Sequence, residues 1–465
     1  MSTATSSQEN KMGTQPILRL IISMSVPAMF SMLVQALYNI IDSVFVAKLG
    51  QDALTAVSLA FPVQMLVISV AVGTGIGVNS LVSRRLGEKR QEEANSAATH
   101  GLVRGFFSWV AFALLGIFFT RFFFECFTDN EAIVQMGCDY IYVVTICSFG
   151  SFLQIMAEKV LQATGNMFYP MVFQLIGAIT NIILDPIMIF GLLGFPKLGV
   201  LGAAIATVTG QIVAMLYSFY IIFRKSHGVH ITFKHFRLRG EIVKDIYAVG
   251  VPSIIMQSIG SVLTTCLNMI LISFSDAAVS VLGVYYKIQS FVFMPVFGLT
   301  HGVMPIMGYN YGARNKKRLM EALKWGIIIS VGIMFLGTLI FLLFPAQLLG
   351  IFSATQEMLD IGVHAFRAIC LCFLSAGVCI LFSTLFQAMG QGGKSLAISV
   401  LRQLVLLLPA AYLLSKVGLF YVWYAFPLAE YVSLAACILL FVRLYKKQIA
   451  RLEGSSFTKK TAEER

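Results

Sequence analysis

The chain has 465 residues, of which 58% are hydrophobic and 12% charged, and its formal net charge is +12. A water-soluble domain carries about 25% charged residues, so this composition excludes a soluble globular protein and requires one that spans a membrane. The positive excess does not indicate nucleic-acid binding, because the basic residues gather in loops on one side of the predicted spans.

Residues 1–16 are rich in Ser, Thr and Gln and lack the pattern of a removable signal peptide, so they predict a flexible cytoplasmic N-terminus. Apolar stretches then predict six spanning helices near 17–48, 53–82, 94–123, 132–161, 167–191 and 199–223. A polar linker at 224–241 follows, and six more spans are predicted near 242–274, 278–308, 318–350, 357–387, 394–415 and 419–444, with a basic tail over 445–465. Several exceed the roughly 20 residues a bilayer core requires, so those helices tilt, kink or protrude. The expected fold is an all-α integral membrane protein with lobes at 17–223 and 242–444.

The two halves repeat at an offset of 225 residues, with Val26-Pro27 answered by Val251-Pro252 and Gln162-Ala163-x-Gly165 by Gln387-Ala388-x-Gly390. Of the eleven glycines between residues 26 and 165, six (Gly73, Gly77, Gly87, Gly101, Gly137, Gly165) meet a glycine at that offset. Each half holds an even number of spans, so both enter from the same side and the pseudo-twofold axis runs along the membrane normal. Like halves in a membrane protein place the working site between them, an arrangement typical of transporters.

Arg84, Arg85, Lys89 and Arg90, the run from Arg224 to Lys244, and the run from Arg314 to Lys324 fall in alternate loops, and a further cluster lies between Arg443 and Lys460. The opposite loops offer only Lys48, Arg121, Lys197 and Lys416. Both termini are therefore expected in the cytoplasm. The loop from Ser83 to Arg90 and its echo from Tyr309 to Lys317 read as basic cytoplasmic turns, for which lipid headgroup contact is a sufficient explanation.

An ionisable side chain within a span is costly and marks a functional site. Asp42 lies in span 1, eight residues before Gly50, and Asp185 in span 5, six before Gly191. At about 1.5 Å per residue both carboxylates lie about 10 Å below the outer surface. Tyr140 of span 4 and Thr207 of span 6 reach a similar depth, while Tyr38 and Asn181 each precede an acid by four residues and share its helix face. Two acids in one desolvated pocket cannot both stay charged without a cation, so the cluster suits coupling to H⁺, or to Na⁺ held by oxygen ligands from Asp42, Asp185 and Asn181. Pro27 and Pro186 free a backbone carbonyl each and let spans 1 and 5 bend. The alternative is a structural role for both acids, satisfied by neighbouring side chains.

The second half lacks these acids: Leu267 answers Asp42 and Ala410 answers Asp185. It carries Lys287, Arg367, Arg402, Glu430 and His301 within its spans instead. Internal ion pairing with Glu430 as the counter-charge is the leading account, and a second polar site or snorkelling are the others. The 38 Phe and 21 Met residues follow from lipid contact and core packing, and those in the cleft can form an adaptable surface for bulky ligands. The eight cysteines include no CxxC pair and no zinc spacing with His, so they read as free thiols. Walker, HExxH and exposed Ser/His/Asp patterns are absent, so no enzyme, metal site or cofactor is expected.

Taken with Val26-Pro27, Asp42 before Ser-Val-Phe-Val-Ala-Lys-Leu-Gly50, Arg85-Leu86-Gly87, Gln162-Ala163-Thr164-Gly165 and Asn181-Ile-Ile-Leu-Asp185-Pro186, the chain resembles the multidrug and toxic compound extrusion (MATE) family, within its DinF-like or MepA-like bacterial branches. The resemblance implies a monomer in the bacterial cytoplasmic membrane that exports drug-like organic cations and amphiphiles in exchange for H⁺ or Na⁺. It makes Asp42 and Asp185 the coupling acids, Asn181 and Tyr38 their polar neighbours, and Pro27 the bend of span 1, with Tyr140 and Thr207 carried over beside them. Sodium-coupled NorM-like members carry carboxylates in spans 7 and 10, where this chain has Gln257 and Ser258 in span 7 and no acid in the body of span 10. Coupling is thus expected in the first lobe. A lipid-linked oligosaccharide flippase of the same superfamily is the alternative, which a basic central cleft would favour.

Overall fold

A computed structural model of the chain describes residues 10–225, 227–234 and 236–452. Among the described residues every regular element is helical, as a backbone in lipid must be unless it closes into a barrel. The first lobe comprises α1 (Ile17–Ala47), α2 (Gln51–Gly87), α3 (Gln91–Glu125), α4 (Glu131–Ile146 with Phe149–Ala163), α5 (Phe168–Phe190) and α6 (Val200–Arg224). The second comprises α7 (Gly240–Leu271), α8 (Asp276–Gly312), α9 (Lys316–Leu343), α10 (Gln356–Ala388), α11 (Gly392–Ser415) and α12 (Leu419–Arg451). Eleven of these are single helices long and apolar enough to cross a membrane, and α4 crosses as a pair of segments bent by 43°. Phenylalanines such as Phe118, 72% exposed, and Phe122, 66% exposed, face outward as lipid contact requires.

Three predicted elements take a different form. Span 4 was expected as one helix, but α4 breaks between Ile146 and Phe149. There the Ser148 hydroxyl donates to the Thr145 carbonyl at 2.7 Å, that of Ser151 donates to the Ser148 carbonyl at 2.9 Å, and both compete with the helical ladder. Span 9 was expected to reach residue 350. It stops at Leu343 because Pro345 has no N–H to continue it, and Pro345–Gly350 starts a short helix of its own.

The third difference is the N-terminus, expected to be flexible over 1–16. Residues 1–9 lie outside the described residues, but Lys11–Thr14 form a helical turn capped by Asn10, whose Oδ1 accepts from the Met12 nitrogen at 3.0 Å. Met12 is fully buried, and its carbonyl accepts from Asn310 Nδ2 at 3.1 Å and Arg318 Nη2 at 3.0 Å in the second lobe. Asn10 Nδ2 donates to the Thr164 carbonyl of the first lobe at 3.5 Å. This short turn lies across both lobes.

The duplicated glycines seal the two lobes together. A methyl group built on Gly73 would lie 2.7 Å from the Ile254 nitrogen, and one on Gly298 would lie 2.7 Å from the Met29 nitrogen. Gly77 meets Gly250 as Gly302 meets Ser25, and Gly87 meets the Tyr309 carbonyl as Gly312 meets the Arg84 carbonyl. Each contact maps onto its mate when 225 residues are added or subtracted, which is what a twofold axis between the lobes demands. Small residues here let backbones approach closely.

These contacts lie toward one end of the bundle, the end where α1 starts and α12 finishes and which holds the α2–α3, α6–α7 and α8–α9 connections. At this basic end, Ile242 and Ile246 of α7 share a core with Val78 and Leu81 of α2. At the far end, the core around Val46, Phe124, Tyr140 and Ile189 belongs to the first lobe alone. The protein is therefore closed at the basic end. Ser83 to Gly87 are helical rather than a turn, and Arg84 and Arg85 contact protein rather than lipid alone. Arg84 packs on Gly390, and Arg85 bridges Glu88 at 2.7 Å, Glu93 at 3.2 Å and, across the lobes, Asp245 at 3.2 Å.

Adding a methyl at Gly87 pushes on the Tyr309 backbone, which cannot rotate away. Overpacking of this kind costs about 1–3 kcal/mol. The Gly87→Ala variant is expected to shift the population toward a state open at the basic end by about five- to 150-fold. Spin-label distances across that end will lengthen if this is so, and an unchanged distribution would refute it.

Candidate functional site

Close packing of α5 on α6 builds the site. A methyl on Gly202 would lie 2.6 Å from the Met188 carbonyl carbon, and one on Gly210 would lie 2.6 Å from the Gly177 oxygen. Thr207 sits between these two glycines on α6 and is brought against Asn181 of α5. With its amide oxygen turned to α6, Asn181 accepts from Thr207 N and Oγ1, both at 3.2 Å, and donates to Asp185 Oδ2 at 3.1 Å. This orientation matches donors with acceptors on both sides. Asn181, Thr207 and Asp185 are all buried.

Asp42 of α1 completes the cluster. Its carboxyl group lies close enough to that of Asp185 to interact with it, although the two residues lie on separate helices. Two ionised carboxylates have no hydrogen to share, so the contact becomes a bond only when one of them carries a proton. Asp42 Oδ1 is buried and has no partner. It is an acceptor held open in a desolvated place, where an unmatched polar atom is costly. Every ligand in the cluster is oxygen or amide, a donor set suited to H⁺ or a hard monovalent cation.

Tyr38 lies within electrostatic reach of both acids. Tyr140 is buried and also lies close to both, but its hydroxyl donates to Gln64 Oε1 of α2 at 3.4 Å rather than to a carboxylate. Gln64 was missed in the sequence because an uncharged polar residue in an apolar span gives no distinct signal. α1 and α5 run unbroken through Pro27 and Pro186.

The second lobe is organised differently. Arg402 Nη1 lies 3.4 Å from Glu430 Oε1, and it does so from a π-helical stretch, Leu401–Leu407, within α11. Expected ion pairing fails for the other two cations. The Lys287 ammonium sits over the Phe352 ring at 5.7 Å, and Arg367 Nε donates to the Leu342 carbonyl at 3.2 Å. Both side chains are exposed, so neither charge needs a buried counter-ion. All eight cysteines are free, and among the described residues no group of three or more His, Cys, Asp and Glu side chains is placed to hold a metal.

A second buried polar cluster escaped the sequence reading. Glu158 and Lys159 of α4 are 4% and 3% exposed. Opposite charges side by side near a span's end resemble a boundary rather than a site, and only their burial sets them apart.

The MatE family model matches the chain twice, over residues 27–187 and 252–413, and the two matches start one sequence repeat apart. The chain is 27% identical to the FAD transporter of Shewanella oneidensis, covering 92% of this chain and 95% of the relative. It is likewise 27% identical to the multidrug export protein MepA of Staphylococcus saprophyticus, with the same coverage. Among solved structures, the outward-facing conformation of a multidrug resistance MATE family transporter superposes with a TM-score of 0.89 at 28% identity, covering 96% of this chain and 99% of the other. A MOP superfamily transporter from Pyrococcus furiosus, described as having a binding pocket of reverse polarity, matches equally well. Twelve spans, two lobes and both matched repeats agree: this chain belongs to the MatE, or multidrug and toxic compound extrusion, family of membrane transporters, and is not an enzyme.

Proposed function

We propose that the protein is a secondary active exporter of organic cations and other amphiphilic small molecules, driven by H⁺ or Na⁺ through Asp42 and Asp185. The observation that carries this reading is the meeting of these two carboxyl groups in the first lobe, with Asp42 Oδ1 buried and unpartnered. A cation arriving there satisfies that oxygen and removes the repulsion between the acids. The same event bends α1 at Pro27 and α5 at Pro186, and lowers affinity for substrate in the cleft. The lobes then rock to open the basic end, which the excess of Lys and Arg assigns to the cytoplasm of a bacterial cell. A monomer suffices, since both lobes lie in one chain.

Similarity to an FAD transporter favours a second cargo, a flavin dinucleotide, for the same exchange. The flippase alternative draws no support from the basic residues of the second lobe, because Lys287, Arg367 and Arg402 each engage a separate partner. The test is transport in proteoliposomes under an imposed proton gradient and, separately, a sodium gradient. The expected result is accumulation of a fluorescent cationic dye, with FAD assayed beside it, under at least one of the two. Transport indifferent to both gradients would overturn the coupling reading.

A further inference from the structure

The buried cluster on α4 belongs to no part of the coupling site. It borders a small, partly open cavity of about 10 Å³, room for one water-sized species. Walls of the cavity include Ser31 and Met32 of α1, Glu158 of α4, Met171 and Gln174 of α5, and His301 of α8. Only His301 comes from the second lobe, so separation of the lobes removes one wall and opens the cavity to the cleft.

Glu158 is held for recognition rather than merely tolerated. Its carboxylate accepts from Gln154 Nε2 at 3.2 Å, Gln162 Nε2 at 2.9 Å and Gln174 Nε2 at 3.0 Å. Three neutral donors fix the orientation of a carboxylate without cancelling its charge. The charge is balanced by Lys159, whose Nζ stands 3.8 Å from Glu158 Oε1, well beyond the roughly 2.7–2.9 Å of a charge-assisted hydrogen bond. Lys159 Nζ donates instead to Gln162 Oε1 at 3.0 Å. The ammonium thus neutralises Glu158 without capping it. The methionines of the cavity wall are polarisable and adaptable, suited to a bulky apolar cation.

We propose that Glu158 is the recognition carboxylate for the positively charged group of an organic-cation substrate, and that Lys159 is the internal cation that balances it when no substrate is bound. This rests on the exporter reading above but not on its coupling residues. Between substrates, Lys159 keeps a lone carboxylate from being stranded in the closed protein. A substrate cation entering from the cleft competes with it.

The experiment is equilibrium binding of ethidium, a permanent cation, to the purified full chain in lipid nanodiscs without any gradient, read by fluorescence. E158Q alone strands Lys159, so the double variant E158Q/K159M carries the test. It is expected to bind ethidium about tenfold more weakly than the natural protein, whereas K159M alone binds several-fold more tightly because the competitor is gone. Affinity unchanged in the double variant would assign the pair to packing and overturn the proposal, as would a natural protein that does not bind ethidium. D185N separates the two readings: gradient-driven export is lost in that background, while the gain in ethidium affinity from K159M and the about tenfold loss from E158Q/K159M persist in it relative to D185N alone. A natural protein that binds ethidium at Glu158 yet exports it under neither gradient would sink the exporter reading alone.

Discussion

Asp185→Asn is expected to reduce gradient-driven dye efflux at least about tenfold, and Asp42→Asn to do the same. An amide at position 185 offers a permanent N–H to the Asp42 carboxylate and mimics the loaded cluster. A driving ion can shift the two conformations only by binding one better than the other, and this variant removes the difference. Asp185 is fully buried, with Asn181 already donating to it, so the substitution keeps the shape of the side chain while deleting its charge. Efflux from cells, normalised to the amount of protein in the membrane, measures the effect. Undiminished, gradient-dependent efflux in both variants would remove the coupling role.

Glu430→Gln is expected to destabilise the second lobe by about 2–3 kcal/mol, less than the roughly 3–5 kcal/mol for breaking a fully buried ion pair. The reduction reflects partial solvation of Arg402, whose side chain is 24% exposed while that of Glu430 is 9% exposed. What costs the energy is the guanidinium left without a counter-charge, so the double variant R402M/E430Q should recover most of the loss. Thermal unfolding in detergent, followed by intrinsic fluorescence, compares the three proteins. If E430Q unfolds with the natural protein, the pair contributes nothing to stability.

The spans were legible because a bilayer admits few solutions: long apolar runs must be helices, and their number and the repeat fix two lobes of six. Asp42 and Asp185 were legible for the same reason, since a charge in such a run has no cheap explanation. Gln64 was not, because an amide is tolerated in a span and only the fold shows that it accepts from Tyr140. Nor was the break in α4, where serine hydroxyls capture carbonyls through geometry that composition does not reveal. Glu158 and Lys159 were hidden by their adjacency, which makes a neutral pair resemble the edge of a span. Arg402 and Glu430 were visible as charges, but the π-helical stretch that carries Arg402 left no mark in the sequence.

The mirrored glycine contacts have a consequence for how such a molecule could arise. A surface on which Gly73 meets Ile254 while Gly298 meets Met29 is self-complementary, the kind that two identical subunits use to dimerise. A half-length ancestor could have closed on a copy of itself through this patch before fusion joined the copies. Once fused, the halves were free to specialise, one keeping paired acids and the other an arginine–glutamate pair, so long as their shared hinge surface stayed glycine-lined.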